Sequence, residues 1–529
     1  MTQFNWEFPY ASQRMPVLAA NAIATSQPLA AQAGVRMLLK GGNAIDAALA
    51  TAISLTVVEP TMNGIGSDAF ALVWDGAGLH GLNASGRAPV AWTPERFALR
   101  RSMPATGWDA VTVPGVVSAW AALSAKFGRL PFAELFAPAI GYAETGFLIS
   151  PTVARQWQTQ APQLMDQPGF AQAFLPEGRP PMAGELFRNP AQARTLQAIA
   201  ESRGEAFYRG ALAEKIAAAS RAQGGAMTAA DLAAHQPDWV EPIGLDYRGL
   251  RLHEIPPNGQ GIAALIALGI LGNFDLAAAP VDSADSLHLQ MEAMKLGFAD
   301  AYRFVADPRS MTVSAASLLD RDYLRRRAAL IDRTRAQDFG HGVPPESGTI
   351  YLAAADAGGM MVSYIQSNYN GFGSGVVVPE TGISLQNRGF GFSLEPGHPN
   401  QVGPGKRPFH TIIPAFATRQ GQPLMSLGVM GADMQPQGHV QMLVRLADYG
   451  QNPQAAADAP RWKVFRGRQI ALENAIPSKV AAELALRGHQ VRHTERWNME
   501  FGSAQLIYRV AGGYVAASDP RRDGQAVGF

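Results

Sequence analysis

Gly348-Thr349-Ile350-Tyr351 puts a hydroxyl where chemistry could start. These residues follow a Gly/Pro-rich stretch, Phe339–Gly348 (FGHGVPPESG), that has no periodicity and reads as a loop. They open an apolar run, Thr349–Ala355, that reads as a strand. At such a junction the threonine Oγ can attack the carbonyl of the preceding residue, and the peptide then breaks through an ester. Gly348 has no Cβ to hinder that approach. Cleavage leaves Thr349 with an α-amine of pKa about 8, close to working pH. The amine can then act as general base for its own residue's hydroxyl. Read alone, a threonine opening a strand signals only β-propensity.

The elements that must position Thr349 are legible in part. Pro28 suits a first helical position and opens a helix at Pro28–Leu39, which Lys40-Gly41-Gly42 ends. Asn43, with Asp46 three residues on, predicts a capped helix over Ala44–Val58, apolar enough to be buried. A strand follows at Phe70–Trp74. From about 115 to 340 the pattern is mainly helical, as at Ala211–Ala219, Ser286–Phe304 and Asp320–Asp332. Asp320–Arg335 interleaves arginines with aspartates and reads as a solvated helix face. Beyond residue 340 strands are expected at Thr349–Ala355, Met360–Ser367, near Gln490, Ala504–Val510 and Tyr514–Ala517, with helices at Gln437–Tyr449 and Ser478–Arg487. Helices first and strands later fit a sheet flanked by helices and assembled from both halves.

Composition bounds the function. The chain has 529 residues, 47% hydrophobic and 16% charged, with net charge +1, so no overall field favours nucleic acid or an anionic membrane. With no cysteine, disulfides, thiolate metal sites and a cysteine nucleophile are excluded. MTQFNWEFPYASQRM lacks an apolar signal region, and the longest apolar run, Ile262–Leu271, is too short to span a bilayer. A soluble, cytoplasmic product is expected. Gly64–Ala69 has the loose dinucleotide pattern but follows a helix and precedes a strand, the reverse of the required order. His489 and His493 have zinc-like spacing in a strand-like segment and read as surface histidines.

Further residues give the chain a resemblance. Gly41-Gly42-Asn43-Ala44-Ile45-Asp46-Ala47-Ala48, Glu59-Pro60, Gly64-Ile65-Gly66, Val113-Pro114-Gly115, Phe207-Tyr208-Arg209-Gly210, Phe372-Gly373-Ser374-Gly375, Lys406-Arg407-Pro408 and the glycine turn at Gly428–Ala432 resemble, in order, the γ-glutamyltransferase (γ-glutamyltranspeptidase) family of N-terminal-nucleophile hydrolases. The resemblance implies an α/β fold, a four-layer αββα sandwich. It implies self-cleavage between Gly348 and Thr349 into fragments 1–348 and 349–529 that stay together as one unit and a heterodimer. It implies no cofactor and no metal. It makes Thr349 nucleophile and base, Ser367 a second hydroxyl bonded to it, and the N–H groups of Gly431 and Ala432 the oxyanion hole. Alanine at 432 alters the turn if that position requires positive φ.

The chain also departs from the family. The arginine that grips the substrate α-carboxylate is replaced by Ser85, with Arg87 two residues on and, in a strand, on the same face. The aspartate for the substrate α-amine falls on Gly391, in Asn387-Arg388-Gly389-Phe390-Gly391. A Ser-Ser pair falls on His410-Thr411, and an asparagine falls on Tyr369, beside Asn368. Without an amine anchor, a buried ammonium would be penalised. Arg87, Arg388 and His410, with Thr411, Tyr369 and Asn387 around them, could hold a carboxylate instead. Each arginine also reads as a structural ion pair, and His410 as a core histidine. The expected activity is hydrolysis of a small acidic amide, oxamate-like or glutaryl-like, as in the divergent branch that includes oxamate amidohydrolase. The alternatives are γ-glutamyl transfer or glutathione hydrolysis, and a non-catalytic, unprocessed binding protein.

Overall fold

The computed structural model describes Trp6 and residues 12–340, 348–494 and 498–529. Residues 341–347 of the expected loop, and most of the N-terminal stretch read for a signal, lie outside the described residues. The sheet strands, in chain order, are β1 (Val17–Ala19), β2 (Ala22–Thr25), β3 (Asp68–Trp74), β4 (Leu79–Asn83), β5 (Asp238–Val240), β6 (Ile243–Tyr247), β7 (Leu250–Glu254), β8 (Gly348–Ala355), β9 (Met361–Tyr369), β10 (Ala415–Arg419), β11 (Gln422–Met430), β12 (Ser503–Val510), β13 (Gly513–Ser518) and β14 (Gln525–Gly528). They form two seven-stranded sheets, ordered β14-β2-β8-β9-β3-β4-β5 and β1-β13-β12-β11-β10-β7-β6.

Side-chain alternation sorts the layers. On β8, Ile350, Leu352 and Ala354 face the helices, while Tyr351, Ala353 and Ala355 face the other sheet. On β3, Ala69, Ala71 and Val73 point one way and Phe70, Leu72 and Trp74 the other. Buried on both faces, these strands read as continuous apolar runs. Helices α1 (Pro28–Leu39), α2 (Ala44–Val58) and α3 (Val116–Phe127) cover the first sheet. Helices α4 (Gly261–Leu271), α5 (Ala284–Phe304) and α6 (Met434–Ala447) cover the second. The order of layers is α, β, β, α, as expected.

The capping box is present: Asn43 accepts from the N–H groups of Ile45 and Asp46, and Asp46 accepts from that of Asn43. The stretch 115–340 is less helical than expected. It contributes β5 to one sheet and the hairpin β6–β7 to the other. The hairpin alternates apolar and polar residues, but over only five residues a strand, and it lies between helices. The arginine-rich segment is helical only over Arg321–Ala328, with exposed Arg325 paired to Asp322 at 2.8 Å. Among the described residues no helix is long and apolar enough to cross a membrane.

Candidate active site

Thr349 and Ser367 meet because the β8–β9 ladder slips. Gly348 faces Tyr369, but Ile350 faces Gln366, so β9 carries one extra residue opposite Thr349. Both hydroxyl residues are wholly buried. Thr349 Oγ1 donates to Ser367 Oγ at 3.1 Å, and the Tyr369 N–H donates to the same Ser367 oxygen at 2.8 Å. Tyr369 is held at φ +80°, a left-handed conformation unusual for an aromatic residue. That turn aims its N–H back at Ser367.

The glycine turn closes β11. Gly431 (φ +117°) and Ala432 (φ +54°) precede α6. The turn does require positive φ, and Ala432 adopts it. Their carbonyls accept the N–H groups of Met434 and Gln435. Among the described residues neither of their own N–H groups donates to another backbone carbonyl. Gln260, at the head of α4, donates through Nε2 to the carbonyls of Ala432 (2.9 Å) and Thr411 (2.6 Å). Gln435, in the first turn of α6, reaches Thr349 Oγ1 at 3.4 Å.

Arg388 is buried, and its Cζ lies 4.6 Å from the centre of the Tyr369 ring. Its Nη1 donates to Thr411 Oγ1 at 2.8 Å. Nε and Nη2 have no partner among the described residues. Burial lowers its pKa to about 10, opposed by Asp68 and Tyr369, so it is still a cation at neutral pH. Asp68, opposite Ser367 on the neighbouring strand, accepts at Oδ1 from the N–H groups of Gly86 (3.2 Å) and Gly115 (3.0 Å). A Cβ at either glycine would stand 1.5 Å from a carbonyl oxygen, so two of the sequence glycines serve to cradle this carboxylate.

His410 Nε2 lies 3.1 Å from Asp68 Oδ2, and burial, Arg388 and Arg407 push its pKa well below the imidazole range. It is a neutral, packed histidine against Phe70, bonded to Asp68. The structure therefore places no charge at His410 with which to hold a carboxylate. Arg87 lies beyond the end of β4, not in it, and its Nη1 donates to Asp307 at 3.1 Å and to the Gly405 carbonyl at 3.4 Å. It joins the ion-pair group of Asp307, Arg309 and Asp238 and takes no partner from the Thr349 cluster. Asn387 donates to the Ala105 carbonyl and accepts from the Asn370 N–H, which pins its loop. Ser85 donates to Asn83 Oδ1 at 2.7 Å. A Cβ at Gly391 would stand 2.7 Å from the Phe409 carbonyl oxygen, so the backbone leaves no room for a side chain there.

Sequence reasoning missed Asp68, Gln260, Gln435 and Asp433. Asp433, buried directly after the glycine turn, has its carboxyl pushed up to about 7 by burial and accepts from the Tyr302 hydroxyl at 3.0 Å. No local spacing marks any of the four; their partners come from distant segments. His489 is also corrected. It is buried and bonded to His288 Nδ1 at 2.8 Å, because the turn before its strand packs on α5, while His493 is exposed. His288, Glu292 and His489 are the one group of metal-ligand type among the described residues. The Lys295 ammonium, 2.6 Å from Glu292, already balances that carboxylate.

Two antiparallel sheets between helical layers are the architecture of the N-terminal-nucleophile hydrolases. The comparisons agree. The family model Gamma-glutamyltranspeptidase matches residues 30–529. The glutathione hydrolase-like YwrD proenzyme of Bacillus subtilis is 37% identical over 95% of this chain and 97% of its own. The oxamate amidohydrolase proenzyme of Klebsiella pneumoniae is 38% identical over the same shares. The crystal structure of cephalosporin acylase from Bacillus halodurans superposes with a TM-score of 0.96 at 48% identity, covering 100% of this chain and 99% of that one. The chain belongs to the gamma-glutamyltranspeptidase family, and it is an amide-hydrolysing enzyme of that family.

Proposed function

We propose that the chain cuts itself between Gly348 and Thr349 and then hydrolyses a small amide whose acyl group carries a carboxylate and no neighbouring ammonium. The observation that carries the substrate class is Arg388, a buried cation whose Nε and Nη2 have no partner among the described residues and which stacks on Tyr369, the β9 residue paired with Gly348. Such a fork suits a carboxylate. The site offers no counterpart for an α-amine at Gly391, where the backbone is closed to a side chain. The Klebsiella relative is named for oxamate, whose amide carbonyl is bonded directly to a carboxylate.

In the reaction, the Thr349 α-amine takes the proton of Oγ1, and Oγ1 attacks the amide carbonyl. The N–H groups of Gly431 and Ala432 receive the oxyanion, where a lost donor costs about 3–4 kcal/mol in other hydrolases. The amine leaves with the proton, and water then opens the ester. Ser367 orients the hydroxyl. Fragments 1–348 and 349–529 stay together as a heterodimer, because each sheet takes strands from both. Arg87 and His410 are left to the surrounding framework.

Denaturing electrophoresis of wild type and Thr349→Ala tests the mechanism: two bands are expected for the first and one, inactive, for the second. A single wild-type band that still hydrolyses amides refutes it. Oxamate and a glutaryl amide, run beside a γ-glutamyl anilide, test the substrate class. Equal rates on the γ-glutamyl compound would return the chain to glutathione-type hydrolysis, and an uncleaved chain without activity to a binding role.

A further inference from the structure

Gln435 is wholly buried in the first turn of α6. Its amide has a fixed sense. The Ile413 N–H donates to Oε1 at 2.9 Å, so the carbonyl end is settled and the NH2 end points the other way. There Nε2 stands 3.4 Å from Thr349 Oγ1. Because the threonine hydroxyl gives its proton to Ser367 Oγ at 3.1 Å, the oxygen turned toward Gln435 presents a lone pair. A side-chain amide carries no charge and cannot take the hydroxyl proton. At this place it can only donate.

We infer that Gln435 is a catalytic residue whose Nε2–H stabilises negative charge on Thr349 Oγ1 as the acyl ester forms and breaks. The role rests on Thr349 being the nucleophile, as proposed above. In acylation the O–H electron pair stays on Oγ1 while the proton passes to the α-amine. The Oγ1–C bond then forms, and the amide C–N bond breaks with that proton carried off on nitrogen. In deacylation water adds to the ester carbonyl and gives a proton to the α-amine. The C–Oγ1 bond breaks with its electrons on Oγ1, and the α-ammonium returns the proton there. At that moment a second donor on Oγ1 matters most. The 3.4 Å separation is long for a neutral oxygen, and such contacts tighten as charge develops.

The arrangement gives Gln435 two separable ends. Gln435→Glu keeps an acceptor for the Ile413 N–H at equal size but turns an oxygen toward Oγ1. Gln435→Leu removes both ends. Each is compared with wild type and Thr349→Ala for self-cleavage rate, kcat, KM, melting temperature and the mass of the 349–529 fragment during turnover. The expected result for Gln435→Glu is native melting, KM within about twofold, and kcat down by about 10- to 100-fold. That lies at or below the roughly 10²–10³ lost with one oxyanion donor elsewhere. The acyl adduct should accumulate on the 349–529 fragment. If Gln435→Glu restores kcat to within twofold of wild type while Gln435→Leu does not, the residue serves only to hold Ile413 and the inference is overturned. An active Thr349→Ala is a different failure: it removes the nucleophile, and this role with it.

Discussion

Arg388 and Ala432 are residues where local structure departs from local preference. A guanidinium buried with Nε and Nη2 unpartnered among the described residues is unfavourable unless a ligand completes it. Replacing Arg388 by Met should raise KM for an acidic amide about 10- to 100-fold, the value of one charge-assisted hydrogen bond. Hydrolysis of a neutral amide of similar size should change far less. Equal losses on both would show that Arg388 only supports the fold. Lysine should not rescue it, since a point charge does not reproduce a fork. Ala432, an L-residue at φ +54°, carries strain of about 1 kcal/mol that glycine would not. Ala432→Gly should keep full activity and melt at an equal or higher temperature. A drop in kcat would mean that the methyl group itself shapes the oxyanion turn. Neither feature could be read in the sequence: the alanine was visible, but its φ was not.

At the scale of elements, punctuation decided what could be read. Pro28, Gly41-Gly42 and the Asn43/Asp46 box bound α1 and α2, and both helices run over the residues the sequence predicts. Strand β8 was legible because burial on both faces makes it an unbroken apolar run after Thr349, and β9 because it opens on Met361-Val362 and keeps Tyr364-Ile365 between polar residues. The hairpin β6–β7 was not, because its alternation runs for only five residues a strand between helices. Asp68 was passed over as part of a glycine motif. Its partners Gly86, Gly115 and His410 are brought to it only by the sheet. The capping box also joins elements. Asp46 accepts from the N–H groups of Asn43, Arg129 and Leu130, tying α2 to the turn after α3. Asp46→Ala should therefore destabilise the protein by about 2–4 kcal/mol, more than a cap alone, because three amides lose their acceptor. A thermal melt within a degree of wild type would contradict this.

At the scale of the whole molecule, the pH dependence of stability follows from buried titratable groups of two kinds. Burial holds His235 near 3 and His489 near 2, with His410 also well below its ordinary value. The unfolded chain protonates these below about 6.5 and the folded chain does not, so their stabilisation is present above 6.5 and is lost as pH falls. Glu59 and Asp433, raised to about 7, and Asp68, raised to about 6, act in the opposite sense. Their contribution is full below about 4 and disappears as pH rises toward 7. The two groups oppose each other between about 4 and 6.5, where the melting temperature should vary little. Below 4 only the histidine contribution still changes among these groups, and the melting temperature should drop steeply. A steady decline beginning at pH 6.5 would show that the buried carboxyls do not hold their protons.

The layered body also bears on maturation. Strands β8 and β9 lie between β2 and β3, so a fragment beginning at Thr349 would be built into a sheet whose remaining strands, apart from the edge strand β14, precede it. The two pieces should co-elute from a sizing column yet separate in denaturant. The chemistry depends on where the second piece starts. N-terminal sequencing of fully active enzyme should read Thr-Ile-Tyr-Leu alongside the original terminus. Full activity from material that yields no such sequence would contradict the proposal that a Thr349 amine freed by cleavage drives the chemistry.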